Sequence, residues 1–242
     1  MQDGALRSAG RAIDPRPVLI VTGLAQEARI AAGPGMVVVC SSSDPRQLRA
    51  LLTVLDPTTI RGVISFGVAG GLDPSLEPGD IVLATEVRAG DGRWFAGVSL
   101  NDEVIARVTT QRQRIVRGGL AGVEDVVLAS ARKLALWLQT GAAAVDMESH
   151  IAAAYAEQVG LPFAALRVIS DSAHSSLPTL ARAAIRPDGK VDLVRVLSGV
   201  ARNPSMLSAL VSTGLDFNRA LRSLRGCRSF LPGSAGLVTA DF

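Results

Sequence analysis

Short apolar runs alternate with stretches of helical period along the first two thirds of the chain. "PVLIVTG" (17–23) is apolar, brief and ended by glycine, the mark of a buried strand. "LAQEARIAA" (24–32) predicts a helix directly after it, and "MVVVC" (36–40) a second buried strand. "DPRQLRALLTVL" (44–55) has the helix period, with Asp44 placed to cap it and Pro45 suited to its first turn. "RGVISFG" (61–67) predicts a third strand. The alternation returns at 131–171: helix "ARKLALWLQTG" closed by Gly141, strand "AAAVDMES" (142–149), helix "HIAAAYAEQVG" (150–160) and strand "PFAALRVISD" (162–171). Strands alternating with helices predict an α/β fold with a largely parallel sheet. Residues 177–226 read as two or three helices, broken near Arg186–Gly189 and Asn203-Pro204.

One segment breaks this rhythm. In "GVISFGVAGGLDPSLEPGDIVLA" (62–84) an apolar run enters five small residues, Gly67 to Gly71, and a second apolar run starts at Ile81. The small residues predict a turn against which another group lies closely. A strand-to-turn junction at the edge of an α/β sheet is a usual ligand position. No Gly-Lys-Ser/Thr follows, and the spacing fits no dinucleotide fingerprint, so a Walker loop and a Rossmann site are both excluded.

Composition narrows the class. The chain has 242 residues, 48% of them hydrophobic but only 4% aromatic, so the core is built from Ala, Val, Leu and Ile. Residues 1–16 carry no periodicity and read as a flexible arm, and residues 17–242 as a single domain with a helical tail from about 177. A net charge of +3 without a concentrated basic stretch argues against nucleic acid as a partner. No long apolar segment opens the chain, and no run reaches the roughly 18 apolar residues of a spanning helix. A cytoplasmic protein is expected, with peripheral contact at the inner membrane left open. Cys40 and Cys227 lack metal-ligand spacing and read as small apolar residues. His150 and His174 lack a third ligand, so no metal site is expected.

Four carboxylates, at three places in the chain, could carry chemistry. Glu27 stands in the first turn of the first helix, where it either favours the helix dipole or acts as a general base on water. Asp146 and Glu148 are two apart and share a face if the segment is a strand. They form either a solvated strand end, with Ser149 capping the next helix, or a clamp on ribose hydroxyls. Asp171 ends an apolar strand. It is either a helix N-cap or an acid kept protonated by burial, able to protonate a leaving nitrogen.

Taken in order, Glu27 after the first strand, "SFGVAGGLDPSLEPGDIVLA", "AVDMES" and "RVISDSA" resemble the nucleoside phosphorylase/nucleosidase superfamily over most of residues 17–175. The resemblance implies three layers, a central mixed sheet flanked by helices, and a homo-oligomer, with a dimer favoured. "FGVAGGLDPSLEPGD", "VDMESH", "LPFAALRVISD" and a Pro-Asp-Gly-Lys tail are most similar to the hopanoid-associated phosphorylases. That narrower resemblance implies removal of adenine from adenosylhopane, leaving ribosylhopane. By the same resemblance Asp171 matches the acid at purine N7, Glu148 the ribose carboxylate, Met147 a packing residue under the sugar and Glu27 the water-activating base. Gly67, Ala69 and Gly70 match the segment close to sugar and base, and Phe66 and Trp137 are candidates to stack on the base.

The match departs from the hexameric phosphorylases at one place. Ser65 and Val68 stand where those enzymes carry an Arg and a Ser that bind phosphate. Neither supplies a positive charge, which favours water over phosphate as acceptor. Arg29, Arg46 or a partner subunit's arginine remain alternative phosphate ligands, and no cofactor is implied beyond phosphate as co-substrate. A hopane on the 5′ side would need an apolar pocket. Leu193, Val194, Leu197, Val200, Met206, Leu207 and Leu210, beside several arginines, either line it, rest on an anionic membrane face, or pack as an ordinary amphipathic helix.

Overall fold

The computed structural model describes residues 14–97, 113–177 and 207–231. Its elements run β1 (Val18–Thr22), α1 (Ala25–Ala31), β2 (Met36–Cys40), α2 (Pro45–Thr53), β3 (Val63–Gly71), β4 (Ile81–Ala89), β5 (Gly92–Phe95), β6 (Ile115–Gly122), α3 (Ser130–Thr140), β7 (Ala144–Asp146), α4 (Ser149–Gln158), β8 (Phe163–Asp171) and α5 (Leu207–Gly226). Asp44 caps α2, accepting from Arg46 N at 2.8 Å, with Pro45 at the first helical position.

The eight strands among the described residues form one mixed sheet. β1 pairs in parallel with β2 and β3, β3 with β8, and β4 and β7 with β6. The β3–β7, β4–β5 and β4–β8 pairings are antiparallel. The pairings β3–β8–β4–β6–β7–β3 return to their start, so the sheet curls into a ring from which β1 and β2 extend. The strand ends of β3, β7 and β8 therefore converge, and the candidate residues lie there.

Helices cover both faces. On one, Leu48 and Leu52 of α2 and Ile151, Ala152 and Ala156 of α4 pack on Leu19, Val21 and Val63. On the other, Ala31 of α1 and Ala220, Leu221 and Leu224 of α5 pack on Ile20, Ile64, Phe66 and Leu166. Central strands buried on both faces explain the unbroken apolar runs in β1, β3 and β8.

Four local readings are corrected. β2 is a strand as expected but not a buried one: it lies at the edge of the sheet, with Val37 exposed and the rest half-buried. Gly67–Gly71 is not a turn: it continues β3, hydrogen-bonded to β8 with a register shift between Ala69 and Gly70. The strand expected over 142–149 ends at Asp146, and Glu148 already has right-handed helical geometry, so the two carboxylates do not share a strand face. Ser149 is the first residue of α4 and not its cap, which is Glu148; Asp146, just before it, holds the entry to the helix, its Oδ1 accepting from Glu148 N at 2.9 Å and from Ser149 N at 2.7 Å. Of the helical tail, only α5 lies within the described residues. Leu193, Val194, Leu197, Val200 and Met206 lie outside them.

Candidate active site

β8 carries an arginine through the middle of the protein. Arg167 is wholly buried in a strand whose neighbours are apolar. A buried guanidinium must find anions and acceptors, and the strand ends around it supply them. Its Nε lies 3.1 Å from Asp146 Oδ2 and its Nη2 3.6 Å from Glu148 Oε2. Nη2 also donates to Ser65 Oγ at 2.6 Å. Ser149 Oγ donates to Asp146 Oδ2 at 2.7 Å, closing the cluster.

Glu27 reaches the same cluster from α1. Its Oε2 accepts from the backbone N–H groups of Gly23 and Leu24, both at 2.8 Å, and its Oε1 from Val68 N at 2.8 Å. The small residue at 67 follows from this packing. A Cβ there would stand 2.6 Å from Arg167 Nη1 and 2.7 Å from Glu27, so the space belongs to these two side chains. Gly23 does the same for Glu148, whose Oε1 would be 2.7 Å from a Cβ at that position. Glu148 Oε1 also accepts from Ser41 Oγ at 3.2 Å.

Electrostatics separate the carboxylates. Burial raises the Glu27 carboxyl above its ordinary range, against the pull of Arg167 and three backbone N–H donors. Burial also pushes Glu148 up to about 7; Arg167 opposes this, while Asp146 and Glu27 add to it. Burial works against the charge on Arg167, but Asp146, Glu148 and Glu27 outweigh it and strengthen that charge. With one cation and three carboxylates, the cluster is anionic once all have ionised. An anionic cluster suits a developing cation and repels an anion such as phosphate.

At the end of β8, four residues beyond Arg167, Asp171 is 5% exposed. It does not sit alone, as an acid protonated by burial would. Lys133 Nζ makes an ion pair with its Oδ2, and Ser170 Oγ donates to its Oδ1 at 2.6 Å. Lys133 comes from α3, where the outward and inward faces are the reverse of what the apolar pattern suggests. Lys133 is fully buried, while Leu134 and Leu138 are 50% and 73% exposed.

The other sequence candidates divide by face. Ser65, Gly67 and Ala69 of β3 point to the side of Arg167 and α4. Phe66 is completely buried on the opposite side, among Ile20, Ile64, Leu166 and Leu221, and Val68 packs with them. Val68 meets the cluster only through its backbone. Gly70 lies against Asp171, with Oδ2 3.4 Å from a Cβ placed there. Met147 is half-buried between β7 and α4. Trp137 packs with Leu72, Ala121, Val127 and Val145, one helical turn beyond Lys133, and is not brought among the carboxylates. Arg29 and Arg46 have exposed side chains. His150 Nε2 lies 3.0 Å from Glu124 Oε1, and His174 is exposed. Cys40 and Cys227 are both free, the latter thiol pushed up to about 12 by burial. Among the described residues no group of side chains could hold a metal ion, and no helix is long and apolar enough to cross a membrane.

Arg167, Lys133 and Ser41 were not singled out from the sequence. The signal for Arg167 was present: a charge inside "PFAALRVISD" is costly unless partners wait for it. Lys133 left no comparable mark, because "ARKLALWLQ" permits it to face solvent.

A mixed sheet flanked by helices in this arrangement is the nucleoside phosphorylase type of α/β fold. The chain belongs to the phosphorylase superfamily, whose family model matches residues 15–186. Its fold is similar to that of futalosine hydrolase from Helicobacter pylori, with a TM-score of 0.66 at 17% identity, covering 89% of this chain and 97% of that one. It is also similar to 5′-methylthioadenosine/S-adenosylhomocysteine nucleosidase from Helicobacter pylori (TM-score 0.64, 18% identity, 89% and 95% covered). The nucleosidase of that name from Neisseria meningitidis gives 0.64, 17%, 89% and 96%.

Proposed function

We propose that this chain hydrolyses the N-ribosyl bond of an adenine nucleoside. The observation that carries the reading is the Arg167 cluster, which brings Glu27 and Glu148 together at the strand ends where Asp171 also lies. Breaking such a bond builds positive charge on the sugar, as in the related O-glycoside chemistry. Ionised Glu148 accepts from the ribose hydroxyls, with Met147 under the sugar and Ser65, Gly67, Val68, Ala69 and Gly70 forming the wall beside it. Glu27 takes the proton of the attacking water. Asp171 delivers a proton to the departing purine, and Trp137 closes the base side; Phe66 supports the wall from the far face. Water is the acceptor in this reading because both buried cations among the described residues, Arg167 and Lys133, are already paired with carboxylates.

We further propose adenosylhopane as the nucleoside, on the strength of the sequence resemblance over "FGVAGGLDPSLEPGD" and "VDMESH". The protein would act as one domain with its helical tail, as a cytoplasmic homo-oligomer, favoured as a dimer, touching the inner membrane where its lipid substrate lies. Exposed Leu134 and Leu138 support an interface between subunits. A second reading, a soluble substrate such as methylthioadenosine, is favoured by the similarity to the nucleosidases. Adenine release separates them. The first reading predicts a kcat/KM at least about tenfold higher for adenosylhopane or a 5′-alkyl adenosine than for methylthioadenosine, since about 1.4 kcal/mol of extra apolar binding gives that factor. The reverse preference supports the second, and no release from any of them would leave a nucleoside-binding protein.

Glu148 gives the reading a pH signature. Its carboxyl must ionise to clamp the ribose, so kcat/KM should rise with pH and level off above about 7. Stability runs the other way. The folded-state value lies above the ordinary 4.5, so this group's contribution is complete below about 4.5 and lost as pH rises through about 7. Glu148→Gln should remove the limb near 7 and flatten the fall in Tm between pH 5 and 8. A limb unchanged in that variant would assign it elsewhere.

A further inference from the structure

The ion pair at the end of β8 bears on where the acid's proton comes from. Lys133 Nζ is fully buried and has three acceptors: Asp171 Oδ2, Ser172 O at 2.7 Å and Ser175 O at 3.0 Å. Three acceptors around one nitrogen are satisfied only by three N–H groups, so Lys133 is an ammonium. Asp171 beside it is then a carboxylate, and the proton needed by the leaving base is not on it. The α3 helix carries no other buried residue, so the one side chain it sends fully inward is the one that meets this carboxylate.

We propose that Lys133 is the proton reservoir for the acid step, acting through Asp171. This rests on the N-ribosyl hydrolase reading above. As the C1′–N9 bond breaks, its electron pair passes to the base. Lys133 Nζ gives one proton to Asp171 and becomes a neutral amine, and Asp171 hands one proton on to N7, so that it ends the step as it began, a carboxylate. Water adds its oxygen to C1′ and gives a proton to Glu27. Once the products leave, Glu27 returns its proton to solvent and Lys133 regains one, so the cycle balances. The Ser172 and Ser175 carbonyls hold the lysine in place and are free of this exchange. Lys133 is thus a positioning and relay residue that never touches substrate.

Arginine at this position tests the proposal, because it keeps the charge and the ion pair but does not release a proton. Lys133→Arg and Lys133→Met are compared with the wild-type protein on two substrates. One is an adenine nucleoside, which needs protonation to leave. The other is 4-nitrophenyl riboside, whose leaving group departs as a stable anion. Both variants should lose about 10²-fold or more in kcat on the nucleoside, the usual worth of general acid catalysis. On the nitrophenyl riboside they should stay within about threefold of wild type, which also shows that they fold. Full activity of Lys133→Arg on the nucleoside would mean that only charge is needed, and would overturn the relay. Equal losses on both substrates, or a wild type that releases adenine but no nitrophenolate, would overturn it too. A wild type that cleaves neither would overturn the hydrolase reading itself, and the relay with it.

Discussion

Glu27→Gln should lower kcat by about 10²–10⁴-fold while leaving the protein folded, the range expected when a general base is removed. The geometry makes this a demanding substitution for chemistry and a mild one for structure. Glu27 accepts from Gly23 N, Leu24 N and Val68 N. A glutamine oxygen can keep the first two, but its amide nitrogen then faces Val68 N, donor against donor. One buried N–H left without an acceptor costs about 1–3 kcal/mol, which melting followed by circular dichroism would register as a lower Tm. Turnover measured on the same preparation separates the two effects. A variant that melts lower yet keeps kcat within about threefold would show that Glu27 only ties α1 to β3.

The second large effect is on stability. Arg167→Met should cost the fold about 3–5 kcal/mol, the usual penalty for removing one partner of a buried charge pair. The variant leaves Asp146, Glu148 and Glu27 buried together without a cation. The Glu27 and Glu148 carboxyls, already raised by burial, would then rise further, so the variant recovers as pH falls and they protonate. Urea denaturation at pH 5 and pH 8 checks both parts: the gap to wild type should be large at pH 8 and narrower at pH 5. A gap of equal size at both values would mean that the loss is one of packing, not of charge.

The sequence carried most of the sheet and part of the site. β1 and β8 show as brief unbroken apolar runs because strands buried on both faces need no alternation, and β2 shows as one too although it lies at the sheet edge and is only half-buried. α2 shows through Asp44, Pro45 and its period, all local features. β6 escaped because "IVRGGLAG" dilutes its apolar residues with glycine and an arginine, and its identity as a strand depends on pairing with β4 and β7. The run from Gly67 to Gly71 looks like a turn for a similar reason. Small residues signal close approach, but not whether the neighbour is a ligand, a bend or, as here, Arg167 and Glu27. Glu27, Glu148 and Asp171 stood out as charges at the ends of apolar runs. Lys133 did not, because which face of α3 turns inward is decided by the sheet it packs on. What distinguishes a protonated acid from an ion pair is therefore a fact of tertiary packing.

In the proposed reaction an anionic cluster, its buried cations already paired with carboxylates, hydrolyses an N-ribosyl bond without phosphate. Its most direct test is adenine release from a 5′-substituted adenosine by the full chain, measured with phosphate rigorously removed and again at millimolar phosphate. Adenine and the 5-substituted ribose with a free C1 hydroxyl are expected, at the same rate in both. Strict dependence on phosphate, with ribose 1-phosphate as product, would contradict it.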